Sequence, residues 1–249
     1  MSQTILITGA TAGIGEAAAR LFAKHNYRLI LTGRRKERLQ ALEKELGVEV
    51  LSLVFDVRDQ EAVKAAVASI PEDWRDIDIL VNNAGLAVGL EPIHEGVVDD
   101  WERMIDTNVK GLLYISREIS PWMVARKQGH IINIASIAGK QVYKGGGVYC
   151  ASKHAADALS QGMRIDLLPY GIRVTNVAPG MVDTEFSVVR FKGDQEKADG
   201  VYNGLAPLTG HDIAEVVYYV ATTPAHVCIN DIVVMPTAQA SAYYTHREG

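Results

Sequence analysis

Short apolar runs rich in β-branched residues alternate with longer amphipathic stretches along the whole chain. Strands that are almost entirely apolar and are separated by helices are typical of a parallel sheet with helices on both faces. The alternation therefore predicts a doubly wound α/β fold with about seven parallel strands. The candidate strands read TILIT, RLILT, VEVLSLVF, IDILVN, HIINIAS, IRVTNVA and DIVVM.

No linker rich in Pro, Gly or Ser and no internal repeat divides the chain, so residues 1–249 are predicted to form one domain. The alternation breaks at about residues 183–210, where TEFSVVRFKGDQEKADGVYNGLAPLTG is polar and irregular and contains several glycines. Long irregular stretches inside a compact domain usually carry function or are disordered. We therefore predict a lid over a ligand at about 183–210.

Charge and cysteine content exclude several classes of partner. The chain of 249 residues has a formal net charge of −5, which argues against nucleic acid or an anionic membrane surface as the main partner. Cys150 and Cys228 have neither disulfide-framework nor metal-site spacing, which favours a reducing compartment and no metal. The N-terminus enters a β-like run at once, and no apolar run approaches the ~18 residues of a membrane span. We expect a cytoplasmic protein.

The first candidate strand runs directly into a glycine-rich turn, TGATAGIGEAAARLF. Gly9, Gly13 and Gly15 would let the backbone turn sharply and approach a pyrophosphate closely. The helix that starts at about Ile14 would present free N–H groups and the positive end of its dipole to the phosphate. The spacing G-x-x-x-G-x-G departs from the common G-x-G-x-x-G dinucleotide motif, and a tight turn without a ligand is the alternative.

Two arginines, Arg34 and Arg35, stand where the second candidate strand ends, in LTGRRKERL. Folds that bind NAD commonly place an acidic residue about 20 residues after the glycines to hold the ribose 2′-hydroxyl, whereas an arginine there accommodates a 2′-phosphate. Basic residues are unfavourable in the first turn of a helix unless an anion pairs with them. The sequence therefore favours NADP over NAD as the cofactor.

The segment VYCASKHAA places Tyr149 and Lys153 four positions apart. On a helix these side chains would be neighbours, and a nearby ammonium favours the phenolate and lowers the pKa of a tyrosine. Such a pair would make the tyrosine a usable proton donor and acceptor near neutral pH. Taken alone, the pattern is more typical of an ordinary, partly exposed helix.

Taken together, the motifs resemble those of the short-chain dehydrogenase/reductase family, in that family's order and over essentially the whole chain. They are TGATAGIG, NNAG at 82–85, Asn108, Ser136, Tyr149-x-x-x-Lys153 and PGMVDTEF from Pro179. The segments DILVNNAGLA, YGIRVTNVAPGMV and VRFKGD most resemble NADP-dependent 3-hydroxy acid and serine dehydrogenases, and sulfoacetaldehyde reductases are similar relatives. The resemblance implies a Rossmann-type domain, an NADP-dependent oxidoreductase acting on a hydroxyl or carbonyl group, and a homotetramer.

The resemblance also implies four catalytic residues. Tyr149 would move the hydroxyl proton, and Ser136 would bind and polarise the substrate oxygen. Lys153 would lower the pKa of Tyr149 and bond the nicotinamide ribose, while Asn108 would support a proton relay through water. The implied cofactor contacts are Gly9, Thr11, Ala12, Gly13, Ile14, Gly15, Arg34, Arg35, Asp56, Val57, Asn82, Asn83, Ala84, Gly85, Tyr149, Lys153, Pro179, Gly180, Val182 and Thr184.

Arg190, in VVRFKGD, is a cation within the predicted lid of an acidic chain. The planar guanidinium matches a carboxylate and also suits a sulfonate, although a solvated loop residue is the alternative. Phe186 would add a dry wall and Gln141 a polar contact. With Ser136 and Tyr149, these residues form the predicted substrate site. The expected substrate is a small anionic hydroxy compound or aldehyde, of the 3-hydroxy acid or serine type or of the isethionate type.

Three other functions stay open at this point. A nucleotide-sensing protein on the same fold would lack turnover, although such proteins usually lack one of the catalytic side chains. A 3-oxoacyl-thioester reductase would share the catalytic residues and differ in substrate. A sugar-nucleotide epimerase would generally need a longer C-terminal substrate region and a different glycine spacing.

Overall fold

The computed structural model describes residues 2–248, and Met1 and Gly249 of the predicted 1–249 domain lie outside the described residues. Each of the seven predicted strands forms, and together they build one parallel sheet in the order β3-β2-β1-β4-β5-β6-β9. Strands from the beginning and the end of the chain share this sheet, as expected if the chain is one domain. The strands are β1 Thr4–Ile7, β2 Arg28–Gly33, β3 Val50–Val54, β4 Ile77–Asn82, β5 His130–Ile134, β6 Arg173–Pro179, β7 Val182–Asp183, β8 Leu208–Thr209 and β9 Asp231–Val234.

Helices cover both faces of the sheet, so the predicted doubly wound fold is confirmed. They are α1 Gly13–Lys24, α2 Lys36–Glu45, α3 Gln60–Ala68, α4 Val98–Ile105, α5 Leu112–Arg126, α6 Gly147–Leu167, α7 Glu185–Arg190, α8 Gln195–Gly200 and α9 Gly210–Ala221. Successive residues of a strand point to opposite faces. Ile5 accordingly packs in the core under α1 and α9, whereas Leu6 packs in the core under α3 and α5.

The strand order reverses between β1 and β4, because the chain first builds outward through β2 and β3 and then returns to the other side of β1. All strands of this sheet run in the same direction. Their carboxyl ends therefore share one edge. In such sheets ligands bind at the carboxyl edge where the order reverses.

The segment at 183–210 is more regular than the sequence predicts. It contains the two short helices α7 and α8, and the strand β8 pairs with β7 beside the main sheet. Each helix has a side-chain N-cap. Thr184 Oγ1 accepts from Phe186 N–H, and Asp194 Oδ1 accepts from Lys197 N–H. The prediction of an irregular segment is therefore wrong, because six-residue helices depend on caps and tertiary contacts that a local pattern does not carry.

His130, the first residue of β5, gives the fold a built-in sensitivity to acid. Its side chain is 1% exposed, Nε2 lies 2.8 Å from Thr175 Oγ1, and burial, aided by the charge of Arg173, lowers the pKa of His130 to about 3. Below pH ~6.5 the unfolded chain binds a proton at this imidazole that the folded chain does not, so stability falls as pH falls toward 3.

We expect His130→Asn to make the free energy of unfolding depend less steeply on pH. The free energy of unfolding of the unsubstituted protein should fall by about 1.4 kcal/mol more per pH unit than that of the variant between pH 6.5 and 4. Urea unfolding at a series of pH values measures the difference. His94→Asn, which removes an exposed imidazole, is the matched control and should leave the slope unchanged. Equal slopes for His130→Asn and the unsubstituted protein would contradict the assignment.

Candidate active site

A groove of about 350 Å³ lies along the carboxyl edge of the sheet, at the point where the strand order reverses. One end is lined by the glycine turn after β1 and by Arg34 and Arg35 after β2. The other end is lined by Tyr149 and Lys153 of α6, and Phe186 of the lid lines the groove as well. Most of the predicted cofactor residues thus line one continuous groove with Ser136, Tyr149 and Lys153, whereas the predicted catalytic residue Asn108 does not line it.

The glycine turn has a backbone that other residues could not adopt. Gly9 and Gly13 have φ angles of +66° and +54°, in the left-handed region that favours glycine. A Cβ on Gly9 would lie 3.0 Å from Ala84 Cα, and one on Gly15 would lie 2.4 Å from the Gly9 carbonyl oxygen. The Asn83 amide donates to the carbonyls of Thr8 and Gly9 and holds the turn in place. The turn is thereby fixed as an open cradle of backbone at the start of α1.

Two predicted cofactor residues lie behind the groove instead of lining it. Gly15 packs inside the turn, and the amide of Asn82 faces a buried polar network under the sheet edge. In that network Asn82 Nδ2 donates to Ser116 Oγ and to Asn133 Oδ1, and Asn133 Nδ2 donates to Ser160 Oγ. The contact predicted for Asn82 is wrong, because alternation along β4 turns its side chain away from the groove.

The two arginines after β2 have different surroundings. The Arg34 side chain is 61% exposed and its guanidinium lies 3.5 Å from Asp56 Oδ2; within residues 2–248 it makes no hydrogen bond. Arg35 donates from Nε and Nη2 to Thr11 and from Nη1 to Glu185. The Arg34 guanidinium is therefore the less engaged of the two and the better placed to take up an anion at this end of the groove.

The predicted catalytic side chains are all buried. Tyr149 is 8%, Lys153 6%, Ser136 9% and Asn108 3% exposed. Lys153 Nζ donates to the Ile134 carbonyl at 2.9 Å and lies 6.0 Å from the centre of the Tyr149 ring. Ser136 Oγ accepts from Ala138 N–H, which holds the hydroxyl at the end of β5. The spacing of Tyr149 and Lys153 on α6 places both at the same end of the groove, as predicted.

Burial dominates the electrostatics of Tyr149 and Lys153. Burial raises the pKa of Tyr149, and the charge of Arg190 opposes that rise. Burial lowers the pKa of Lys153 to about 8. The prediction that Lys153 sets the Tyr149 pKa below its usual value is wrong for this structure, because both groups are withdrawn from water and the ammonium is held at the Ile134 carbonyl. Tyr149 accordingly keeps its proton at neutral pH.

Asn108 lies in a π-helical segment, Asp106–Gly111, between α4 and α5. Single π turns inside longer helices are often found at functional sites. The Asn108 amide donates to the Leu86 carbonyl and to Ser152 Oγ, and its oxygen accepts from Leu86 N–H. Two of these bonds tie the π-helical segment to Leu86, after β4, and the third ties it to α6, so the amide holds the groove wall from behind. Its part in a proton relay stays a prediction.

The segment predicted to be a lid is held near Tyr149 by Arg190, on the last turn of α7. Its guanidinium carbon lies 5.0, 5.5 and 5.7 Å from the ring centres of Tyr149, Phe186 and Tyr143. Nη2 donates to the Tyr143 hydroxyl at 2.5 Å, and the Arg190 carbonyl accepts from Gly89 N–H. Nε is buried and makes no hydrogen bond within the described part of the chain. Arg190 is not among the residues that line the groove, and this unused donor lies in an aromatic cage formed by Tyr143, Tyr149 and Phe186. Its contact with a substrate stays a prediction.

Gln141 does not line the groove. Its amide oxygen accepts from Ala242 N–H at 2.8 Å, in the C-terminal segment. The predicted substrate contact of Gln141 is therefore wrong, because the chain returns here in a way that no local pattern indicates. Sequence reasoning also missed Tyr143, Arg38 and Glu185. Arg38 follows Arg35 by one turn and Glu185 follows the PGMVDT motif, whereas Tyr143 carried no usable signal.

Comparison with known proteins agrees with this geometry. The sequence profile described as short chain dehydrogenase matches residues 3–195. The chain belongs to the short-chain dehydrogenase family. It is 54% identical over 239 residues to the NADP-dependent 3-hydroxy acid dehydrogenase YdfG of Salmonella typhi, which covers 96% of both chains. It is 46% identical over 249 residues to the serine 3-dehydrogenase of Agrobacterium fabrum, which covers all of both chains.

A solved structure is similar over nearly the same length. The closed form of serine dehydrogenase complexed with NADP+ matches with a TM-score of 0.95 at 50% identity, covering 99% of this chain and 100% of that chain. The short-chain dehydrogenase is thus an oxidoreductase, and its predicted family and Rossmann-type fold are confirmed. Over residues 2–248, no cluster of His, Cys, Asp or Glu could hold a metal ion. No described helix is long and apolar enough to cross a membrane.

Tyr149→Phe tests the catalytic assignment. The substitution keeps the ring that packs edge-on against Phe186 at 5.7 Å and removes only the hydroxyl. We expect kcat to fall by about 100-fold or more, the usual contribution of a general acid–base group. The dissociation constant for NADPH, measured by fluorescence titration, should stay within about twofold. A variant with near-normal kcat would show that Tyr149 does not move the proton.

Proposed function

We propose that this short-chain dehydrogenase transfers hydride between NADP(H) and a small anionic hydroxy compound or aldehyde of the 3-hydroxy acid or serine type. The observation that carries the proposal is the Arg190 guanidinium, which lies 5.0 Å from the Tyr149 ring centre with a buried, unused Nε. A buried donor without a partner is unfavourable. A substrate carboxylate held there would satisfy Arg190 and bring the reacting carbon near Tyr149.

The residues of the groove fit a dinucleotide that carries a 2′-phosphate. The glycine turn lines the groove where α1 begins, and the free N–H groups at the start of a helix suit a phosphate. Arg34 would hold a 2′-phosphate, and Lys153 would contact the nicotinamide ribose. NADP is accordingly the cofactor of the proposal, as the names of the relatives given above also suggest. When bound, NADPH supplies the hydride, and the protein supplies orientation and proton transfer.

The proton steps are assigned to Tyr149 and Ser136. As a carbonyl is reduced, negative charge develops on its oxygen, and two hydroxyl donors near that oxygen stabilise the charge. Tyr149 keeps its proton at neutral pH because it is buried, so it is suited to protonate the alkoxide. The reverse oxidation needs the phenolate and should therefore be favoured at alkaline pH.

Three further properties belong to the same proposal. A homotetramer follows the family resemblance, and Leu113, Ile165 and Leu168 on the α5–α6 side are exposed apolar side chains that other copies could cover. A cytoplasmic location is supported by the two free cysteines. The substrate lid is assigned to 183–210, because Phe186 and Val189 of α7 line the groove.

Arg190→Ala tests the anion site. For oxidation of 3-hydroxypropionate, kcat/KM should fall about 30- to 150-fold. This corresponds to a loss of about 2–3 kcal/mol of transition-state stabilisation, as for a hydrogen bond to a charged group. Activity on methyl 3-hydroxypropionate, which is neutral and of similar shape, should change far less. Isethionate belongs in the same assay because a guanidinium also suits a sulfonate, and a 3-oxoacyl thioester tests the reductase alternative.

Lys192→Gln is the matched control for Arg190→Ala. It also removes a lid cation, but one that pairs with Asp100 at 2.6 Å outside the aromatic cage. This variant should affect the charged and the neutral substrate alike. If Arg190→Ala did the same, Arg190 would be a structural residue of the lid and the anion site would be refuted.

Arg34→Gln tests the choice of cofactor. A charge-assisted bond to a 2′-phosphate is among the stronger polar contacts, so the variant should raise KM for NADP by about 30-fold or more, as for loss of a charged hydrogen bond. KM for NAD, which lacks the phosphate, should change little. Initial rates with both cofactors give the ratio. An unsubstituted enzyme that used NAD and NADP equally well would contradict the assignment.

A further inference from the structure

A bridge of side chains links the lid to α2 beside the glycine turn. Glu185, the first residue of α7, accepts from Arg35 Nη1 at 2.7 Å and from Arg38 Nη1 at 2.6 Å. Arg35 also donates from Nε and Nη2 to the hydroxyl and the carbonyl of Thr11, inside the glycine turn. The lid, the glycine turn and the start of α2 are therefore joined at one carboxylate.

Arg34 and Arg35 differ in whether they take part in this bridge. Arg35 donates three hydrogen bonds to Thr11 and Glu185, whereas Arg34 is exposed, lies 3.5 Å from Asp56 Oδ2 and makes no hydrogen bond with the described residues. Arg34 can take a 2′-phosphate without breaking the bridge. A cofactor in the groove would then lie beneath a lid that is still fastened at this end.

We propose that Glu185 is a positioning residue that fastens the lid to α2 through Arg35 and Arg38 and thereby slows the release of NADP(H). The inference rests on the proposed function, because it takes NADP(H) as the molecule in the groove. It goes beyond that function by naming the side chain that controls release, and by assigning Arg35 to the lid instead of to the 2′-phosphate.

The position of Glu185 on the lid supports this role. The opposite end of α7 is fixed by Arg190 to Tyr143 and Gly89, and Lys192 just beyond it pairs with Asp100. The preceding residue, Thr184, packs against Gly13. Glu185 is thus the tie next to the glycine turn, and its loss would free the end of α7 that must move for a dinucleotide to leave.

The bonds from Arg35, with those from Arg38, hold the pKa of the Glu185 carboxyl below its usual value, so it is ionised at neutral pH. The pairs are partly exposed, at 42% and 49% for the two arginines and 46% for Glu185. Ion pairs at such positions contribute modestly. We therefore expect roughly a three- to tenfold effect on release and not an all-or-none switch.

The experiment compares cofactor release from Glu185→Gln and from the unsubstituted enzyme. Stopped-flow fluorescence should show three- to tenfold faster dissociation of both NADPH and NADH, because the lid covers the part that the two cofactors share. In the cofactor-free protein, amide hydrogen exchange over residues 185–200 should be faster. Arg38→Gln should give a smaller change in the same direction, because the bond from Arg35 to Glu185 remains. Adding Arg38→Gln to Glu185→Gln should change little further, because both members of one pair are then removed.

Two control variants separate the possible failures. Glu45→Gln removes an exposed carboxylate that pairs with Arg20 between α1 and α2, away from the lid, and should leave release and exchange unchanged. Arg34→Gln should speed release of NADPH but not of NADH. If it changed neither, the proposed cofactor assignment would fail, while the exchange measurement on the cofactor-free protein would still test the fastening.

Two outcomes would overturn the proposal. Unchanged release and unchanged exchange in Glu185→Gln would mean that the bridge does not fasten the lid to α2. Slower release of NADPH alone would mean that the Glu185 carboxylate competes with the 2′-phosphate for the arginines, so that its removal tightens binding. Faster release of both cofactors with faster exchange in the lid supports the proposal.

Discussion

The parallel direction of every strand in the main sheet is the constraint on which the rest of the molecule depends. It brings the carboxyl ends of all seven strands to one edge, so residues far apart in sequence meet there without any special arrangement. Gly9 follows β1, Arg34 follows β2, Asn83 follows β4 and Ser136 follows β5. The reversal of strand order between β1 and β4 then leaves a crevice, because the connecting helices turn to opposite faces. The active site is thus a property of chain direction and strand order.

Features that depend on neighbours in sequence could be predicted. The strands could be recognised because each is a short apolar run, and most are buried, as in β1. The glycine turn could be recognised because a strand and a helix flank it. The pairing of Tyr149 with Lys153 needed only helical spacing. The family resemblance then linked these separate signals, which individually had ordinary structural explanations.

Features that depend on where distant segments pack could not be predicted. The side chain of Gln141 accepts a hydrogen bond from Ala242 N–H, 101 residues further along the chain. The helix α7 is held by bonds such as Ser187 to Tyr202, and a helix of six residues has little local signal of its own. The pKa of Tyr149 follows from its complete burial beneath the lid, which spacing along α6 does not reveal. Local pattern thus indicated candidate residues, whereas their contacts with distant segments required the fold.

The buried amide network beneath the groove limits how the core can change during evolution. Asn82, Ser116, Asn133 and Ser160 are each 5% exposed or less and are hydrogen-bonded to one another. Replacing one of them by an apolar residue leaves a buried partner unsatisfied, whereas replacing two partners together by apolar groups of the same shape can be nearly neutral. Single substitutions at these positions are therefore destabilising, whereas paired substitutions can be tolerated. Descendants of this chain should keep the four residues together or exchange them as pairs.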